Sequence, residues 1–119
     1  MEIEGKVWGT TRPLIVTPVI EVQRITVNEN CYCSMHKHQS KINAFYVESG
    51  ELLIRRWKND YNLVDETRLK GGQVCVIPAG EVHQFEGILP TFALEFYWSE
   101  LDSKDIIRAG VGGIHDSEA

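Results

Sequence analysis

The chain has 119 residues, room for one domain around one core, which is expected to occupy residues 1–119. Its 43% apolar and 24% charged composition is ordinary for a globular protein. Its formal net charge of −5, with scattered basic residues, argues against a nucleic-acid partner, which would demand a basic patch. No apolar run approaches the ~20 residues of a membrane span, so no membrane partner is expected. The start, Met1-Glu2-Ile3-Glu4-Gly5, has no apolar stretch of the signal-peptide kind. Three cysteines is an odd count, with Cys31 and Cys33 too close to bridge, so a reducing, cytoplasmic setting is the expectation.

In chain order, Val19 to Val27 is rich in β-branched residues and stops at Asn28-Glu29-Asn30. Strands are predicted at Cys31 to His38, Ala44 to Glu48, Glu51 to Lys58 and Tyr61 to Leu69, with Ser49-Gly50 and Asn59-Asp60 as turns. After Lys70-Gly71-Gly72 come Val74 to Ile77, ended by Pro78-Ala79-Gly80, then His83 to Phe85 and Phe92 to Trp98. Many short strands at this spacing predict an all-β sandwich or barrel. Leu101 to Ala109 reads as one short C-terminal helix, capped by Asp102 or Ser103. The glycine-rich tail, Gly110 to Ala119, reads as flexible.

His36 and His38 are separated by one residue, so in a strand both imidazoles face one spot. His83, from another strand, would supply a third ligand of a metal site. Lone histidines are usually structural, and His115, in the tail, reads as incidental.

These residues resemble the cupin superfamily. Its first motif is G-x5-H-x-H-x(3,4)-E-x6-G; here Asn30, His36, His38, Asn43 and Gly50 stand at those positions, over residues 30–50. Its second motif is G-x5-P-x-G-x2-H-x3-N; here Gly72, Pro78, Gly80, His83 and Gly87 do, over residues 72–87. Asn30, Asn43 and Gly87 depart from the pattern. The resemblance implies a small antiparallel β-barrel, or jelly roll, holding a divalent transition metal (Mn, Fe, Ni or Zn) and a small-molecule ligand. Gly50 and Gly80 sit where tight turns need positive φ. Asn43 replaces a glutamate ligand and offers only a neutral carbonyl oxygen, so the implied set is His36, His38, His83 and, as a weaker fourth, Asn43.

Strand parity then extends the pocket. A regular strand from Cys31 to His38 turns Tyr32 and Ser34 to the histidine side and Cys31, Cys33 and Met35 away. Phe85 shares His83's parity and would form an apolar wall. The three cysteines read as packing thiols. Glu95, the one charge in Phe92 to Trp98, reads either as a general base in the pocket or as a solvated outward carboxylate.

Outside the motifs, Lys6-Val7-Trp8-Gly9, Leu94-Glu95-Phe96 and Asp105-Ile106-Ile107-Arg108 resemble segments of type II mannose-6-phosphate isomerase domains. The likeness implies isomerase- or epimerase-type chemistry on a small polar or anionic molecule such as a sugar phosphate, with Glu95 as base and Lys41 or Arg108 as anion partners; the last two read more simply as surface charges. Two alternatives stand beside it: a three-histidine Fe(II) dioxygenase, and a non-catalytic ligand-binding module. A homodimer is expected, with Trp8, Trp57 and Trp98 as interface or core residues.

Overall fold

A computed structural model describes residues 2–58, 63–99 and 103–115. Among the described residues, nine strands run in chain order: β1 Glu4–Lys6, β2 Gly9–Val16, β3 Ile20–Val27, β4 Ile42–Ser49, β5 Glu51–Trp57, β6 Asp65–Lys70, β7 Val74–Ile77, β8 Val82–Gly87 and β9 Thr91–Trp98. They pair antiparallel in two sheets, one of six strands in the order β1-β2-β3-β9-β4-β7 and one of three in the order β6-β5-β8. The all-β jelly-roll architecture is the one the sequence implied. Among the described residues, no helix is long and apolar enough to cross a membrane.

The core lies between the sheets. The larger sheet contributes Ile25, Val27, Phe45, Val47, Cys75, Ile77 and Ala93, at alternate positions of their strands; the smaller contributes Leu52, Ile54, Leu69 and Phe85. The period-2 pattern places these side chains on the inner faces.

Two sequence expectations are corrected. Residues 31–38 do not form a strand; they carry only two isolated bridges to β8, Tyr32↔Glu86 and His36↔His83. The proposed C-terminal helix is absent from its described part, 103–109; Leu101 and Asp102 lie outside the described residues. Ile106 and Ile107 are exposed, and so short a helix is marginal without an apolar face to pack. The sequence reading also missed β1 and β2, where Pro13 interrupts the β pattern. Pro13 sits at a register shift between Pro13 and Ile15, a place where a strand tolerates proline.

The turn glycines behave as the motif requires, with φ of +94° at Gly50 and +85° at Gly80. A Cβ on Gly50 would also lie 2.3 Å from the Pro90 carbonyl oxygen. Gly50→Ala is therefore expected to destabilise by about 2 kcal/mol or more. That corresponds to roughly 8 °C in a thermal melt. An unchanged melting temperature would contradict the strained hairpin. Two of the motif departures have local reasons. Asn30 holds φ of +64°, a conformation asparagine tolerates in place of glycine. At Gly87 a Cβ would meet the Asn28 carbonyl oxygen at 2.6 Å, so a side chain is excluded there.

Candidate metal centre

Segment 31–38 is tied to β8 by its backbone. His36 and His83 exchange N–H···O bonds of 3.0 and 2.8 Å, and the Cys33 amide donates to the Phe85 carbonyl at 3.1 Å. The Gly80 amide donates to the His38 carbonyl at 2.7 Å, anchoring the second histidine to the turn before β8. The three imidazoles consequently converge, with ring centroids 4.6 Å apart for His36–His83, 5.0 Å for His36–His38 and 5.5 Å for His38–His83. One ring nitrogen from each lies within 4.8 Å of the other two.

Hydrogen bonding sets the tautomers. Nδ1–H of His36 donates to the Ser34 carbonyl at 2.8 Å, and Nδ1–H of His83 donates to the Glu81 carbonyl at 2.9 Å. A carbonyl only accepts, so in the neutral rings both Nε2 atoms carry lone pairs. Backbone carbonyls that fix ring orientation in this way are a usual support for metal-ligating histidines. His38 Nε2 is buried and has no hydrogen-bond partner. Burial, followed by the charges of His36, His83 and Lys41, holds His38 down at about 4, so this ring is neutral near pH 7. Burial likewise lowers His83.

Asn43, on the inner face of β4, meets this cluster. Its Nδ2 donates to the Phe96 carbonyl at 3.0 Å, which turns Oδ1 toward His83 Nε2 at 3.0 Å. With Nδ1 of His83 protonated, two acceptors then face each other with no proton between them. Protonating the ring would resolve the conflict, but burial opposes that. A cation beside both atoms would resolve it as well. The unpartnered His38 nitrogen and this opposed pair both fit a divalent metal held by His36, His38, His83 and Asn43.

A cavity of about 410 Å³ opens beside the cluster. One wall is polar, with His36, Glu95, Tyr97, Gln23 and Thr11; the other is apolar, with Val7, Trp8, Cys33 and Phe85. Trp8 and Phe85 meet edge to face at 4.9 Å. Glu95 is only 6% exposed, on the inner face of β9. Burial pushes its carboxyl up to about 7, against hydrogen bonds from Tyr97 and Asn43. Tyr97 packs edge-on against His38 at 5.0 Å, and the Lys41 ammonium lies 4.3 Å from the centre of the Tyr97 ring.

The structure thus brings His36, His38, His83 and Asn43 together and places Glu95 and Phe85 on the adjoining cavity. Ser34 stands at the rim, its Oγ 3.4 Å from His36 Nδ1. Ser34 lines the cavity as expected, but the parity expected for residues 31–35 fails at Tyr32 and Cys33. Tyr32 is 58% exposed on a separate depression with Met35, while Cys33 is buried and lines the cavity. Without a regular strand, alternation along this segment has no backbone to enforce it. Arg108 is exposed in the C-terminal segment and does not line the cavity. The sequence reading missed Tyr97, Gln23, Thr11 and Trp8 as cavity residues. Tyr97 was findable, because it stands two residues from Glu95 on the same strand face.

Burial raises the Cys33 thiol to about 11, and the Phe85 amide donates to its sulfur at 3.2 Å. About one Cys33 in a thousand is then thiolate at pH 8. Iodoacetamide at that pH is expected to modify half-buried Cys31 well before Cys33, as read by peptide mass mapping. Equal rates in the native protein would contradict the buried position.

None of the curated proteins compared with the chain matches it. Among solved structures, KdgF from Halomonas sp. superposes with a TM-score of 0.72 at 14% identity, over 85% of this chain and 90% of that one. The capsular polysaccharide assembling protein CapF from Staphylococcus aureus superposes with a TM-score of 0.74 at 22% identity, over 87% of this chain and 32% of CapF. This chain thus corresponds to about a third of CapF's length. The cupin domain of Schizosaccharomyces pombe Cnp3 gives 0.70 at 11% identity, over 84% of this chain and 69% of that one. These likenesses establish the shared fold. The cupin family model matches residues 6–113, taking in both histidine motifs and every strand from β2 to β9, so the chain belongs to the cupin family.

Proposed function

We propose that this cupin is a metal-dependent enzyme moving a proton between neighbouring carbons of a small, polar or anionic carbonyl compound, of which a sugar phosphate is one example. The observation that carries the reading is the buried carboxylate of Glu95, which shares a cavity with His36 and is hydrogen-bonded by Tyr97. A divalent metal held by His36, His38, His83 and Asn43 would supply a Lewis acid for the substrate's oxygens. Glu95 takes the proton from the carbon beside the carbonyl and returns it to the neighbouring carbon. The Tyr97 hydroxyl orients that carboxylate. Lys41, stacked on the Tyr97 ring, adds positive potential that favours an anion. Trp8 and Phe85 shield the carbon skeleton from water.

The test is deuterium exchange from D2O into sugar phosphates, followed by proton NMR with protein loaded with Mn, Fe, Ni or Zn. Glu95→Gln is expected to slow exchange at least 100-fold while leaving metal content near one per chain. Exchange unaffected by the substitution would remove Glu95 from the mechanism. One feature favours a second reading: all four candidate donors are neutral, a set that suits Fe(II) oxygen chemistry. Oxygen uptake by the Fe(II)-loaded protein, without solvent exchange, would put the dioxygenase in place of the isomerase. Tight ligand binding with neither reaction would leave a binding module.

A further inference from the structure

An arginine stands in the core row of β5, beside the histidines. That row runs Leu52, Ile54 and Arg56, and the residue paired with Arg56 across β8 is His83. A charge on a core row is costly unless it is paired. Glu81 pairs it: Nε and Nη2 of Arg56 donate to the two carboxylate oxygens at 2.5 and 3.3 Å, with the side chains only 16% and 12% exposed. A guanidinium gripping both oxygens fixes the orientation of the carboxylate as well as its distance. Nη1 of Arg56 also donates to Cys75 Sγ at 3.9 Å, so the same group reaches β7 in the larger sheet. Glu81 ends the turn between β7 and β8, residues 78–81. That turn makes two of the bonds that hold the imidazoles in place. The Glu81 carbonyl accepts from His83 Nδ1 at 2.9 Å, and the Gly80 amide donates to the His38 carbonyl at 2.7 Å. Its own closing bond, from the Glu81 amide to the Pro78 carbonyl, is long at 3.4 Å. The turn therefore depends on the side chain of Glu81 to stay fixed.

We infer that Arg56 is a positioning residue of the metal centre. Through Glu81 it locks the turn, so that the Glu81 carbonyl sets the His83 ring and the Gly80 amide sets the His38 backbone. The inference rests on the proposed metal site and adds to it a pair that supplies no ligand atom. Charge requires both members. Burial is the main cause that lowers His83, the charges of His36 and Arg56 add to it, and Glu81 opposes them through its carbonyl and its carboxylate. A guanidinium felt at His83 would repel a divalent metal there, and the Glu81 carboxylate neutralises it. Losing Arg56 frees the turn. Losing Glu81 frees the turn and also leaves a buried positive charge beside the site. The Arg55–Glu86 pair offers a comparison within the same two strands. It is 2.9 Å long, with side chains 24% and 22% exposed, on the opposite face of β5. Among the described residues, neither of its side chains hydrogen-bonds a histidine.

Two readouts on the full chain test it. Long-range nitrogen–proton NMR of the imidazoles, on chelator-treated protein, reads the His83 tautomer without any metal. The unsubstituted chain is expected in the Nδ1–H form, Arg56→Met in a mixture of both forms, and Arg55→Met unchanged. Competition with a chromophoric chelator then reads zinc affinity. Arg56→Met is expected to weaken it by about 10- to 100-fold, the range for groups that support ligands. Arg56→Lys, which keeps the charge but not the two-pronged grip, should fall between, and it serves if the methionine variant does not fold by circular dichroism. Glu81→Gln should weaken affinity at least as much as Arg56→Met, and the double variant no more than Glu81→Gln alone, because the pair acts as one unit. Arg55→Met should stay within about threefold of the unsubstituted chain. Either readout unchanged in the Arg56 variants, or moved equally by Arg55→Met, would overturn the inference. An unsubstituted chain that takes up no zinc would sink the metal site instead, and the tautomer alone would then decide whether Arg56 holds His83.

Discussion

Protein carrying His83→Ala, purified without chelator, is expected to hold less than a tenth of the metal bound by the unsubstituted chain, which should approach one ion per molecule. His83 is 1% exposed and is the hub of the cluster: its Nδ1 is committed to the Glu81 carbonyl, and its Nε2 faces Asn43 Oδ1. Removing it deletes one of the candidate donors and the backbone-oriented ring that faces Asn43. Changes to groups that only support ligands cost about 10- to 100-fold in affinity, so loss of a ligand itself should exceed that range. His36→Ala should behave alike, and the double variant should retain no metal. Asn43→Ala should do less, because a neutral amide oxygen is the weakest of the four donors. Elemental analysis beside circular dichroism distinguishes lost metal from lost fold. If the unsubstituted protein contains no metal and takes up neither Mn, Fe, Ni nor Zn, the metal reading fails, and the opposed acceptors at Asn43 and His83 require a proton instead.

Phe45→Ala is expected to cost 3–5 kcal/mol, the range for deleting a buried aromatic ring. Phe45 is 1% exposed and meets Phe85 edge to face at 5.6 Å. It joins the two sheets at the point where β4 also carries Asn43, two residues away on the same face. A domain of this size has roughly 5–15 kcal/mol in total. The variant should therefore melt at least 12 °C lower, taking about 4 °C per kcal/mol. It should also loosen the Asn43 amide, so metal retention should fall although no ligand has changed. A cost under 1 kcal/mol in urea unfolding would mean that the two sheets do not close on Phe45.

Much of the fold was legible because β-strand order here is written in local signals. Val74 to Ile77 was bounded to the residue by a glycine turn and a proline, and Gly50 and Gly80 marked turns that demand positive φ. The histidines were legible because their spacing around those turns is preserved. The failures have two causes. Segment 31–38 has a strand-like composition, but its backbone bonds to β8 only at scattered points, so nothing enforces a two-residue period. The segment after Ser103 has a helical composition, but its isoleucines have no apolar surface to pack against.

The amino-acid order alone determined that this chain folds as a cupin and that three imidazoles from two distant segments approach each other, because turn chemistry and ligand spacing are local properties. It did not determine which face of a strand looks inward. Hydrophobicity alone would turn Phe96 toward the core and Glu95 toward water. Pairing with β3 and β4 does the reverse, because Ile25, Val47 and Ala93 must share one face of the sheet. That choice of face, made only in the tertiary structure, buries a carboxylate beside the histidines and leaves a wall of aromatic and aliphatic side chains outside.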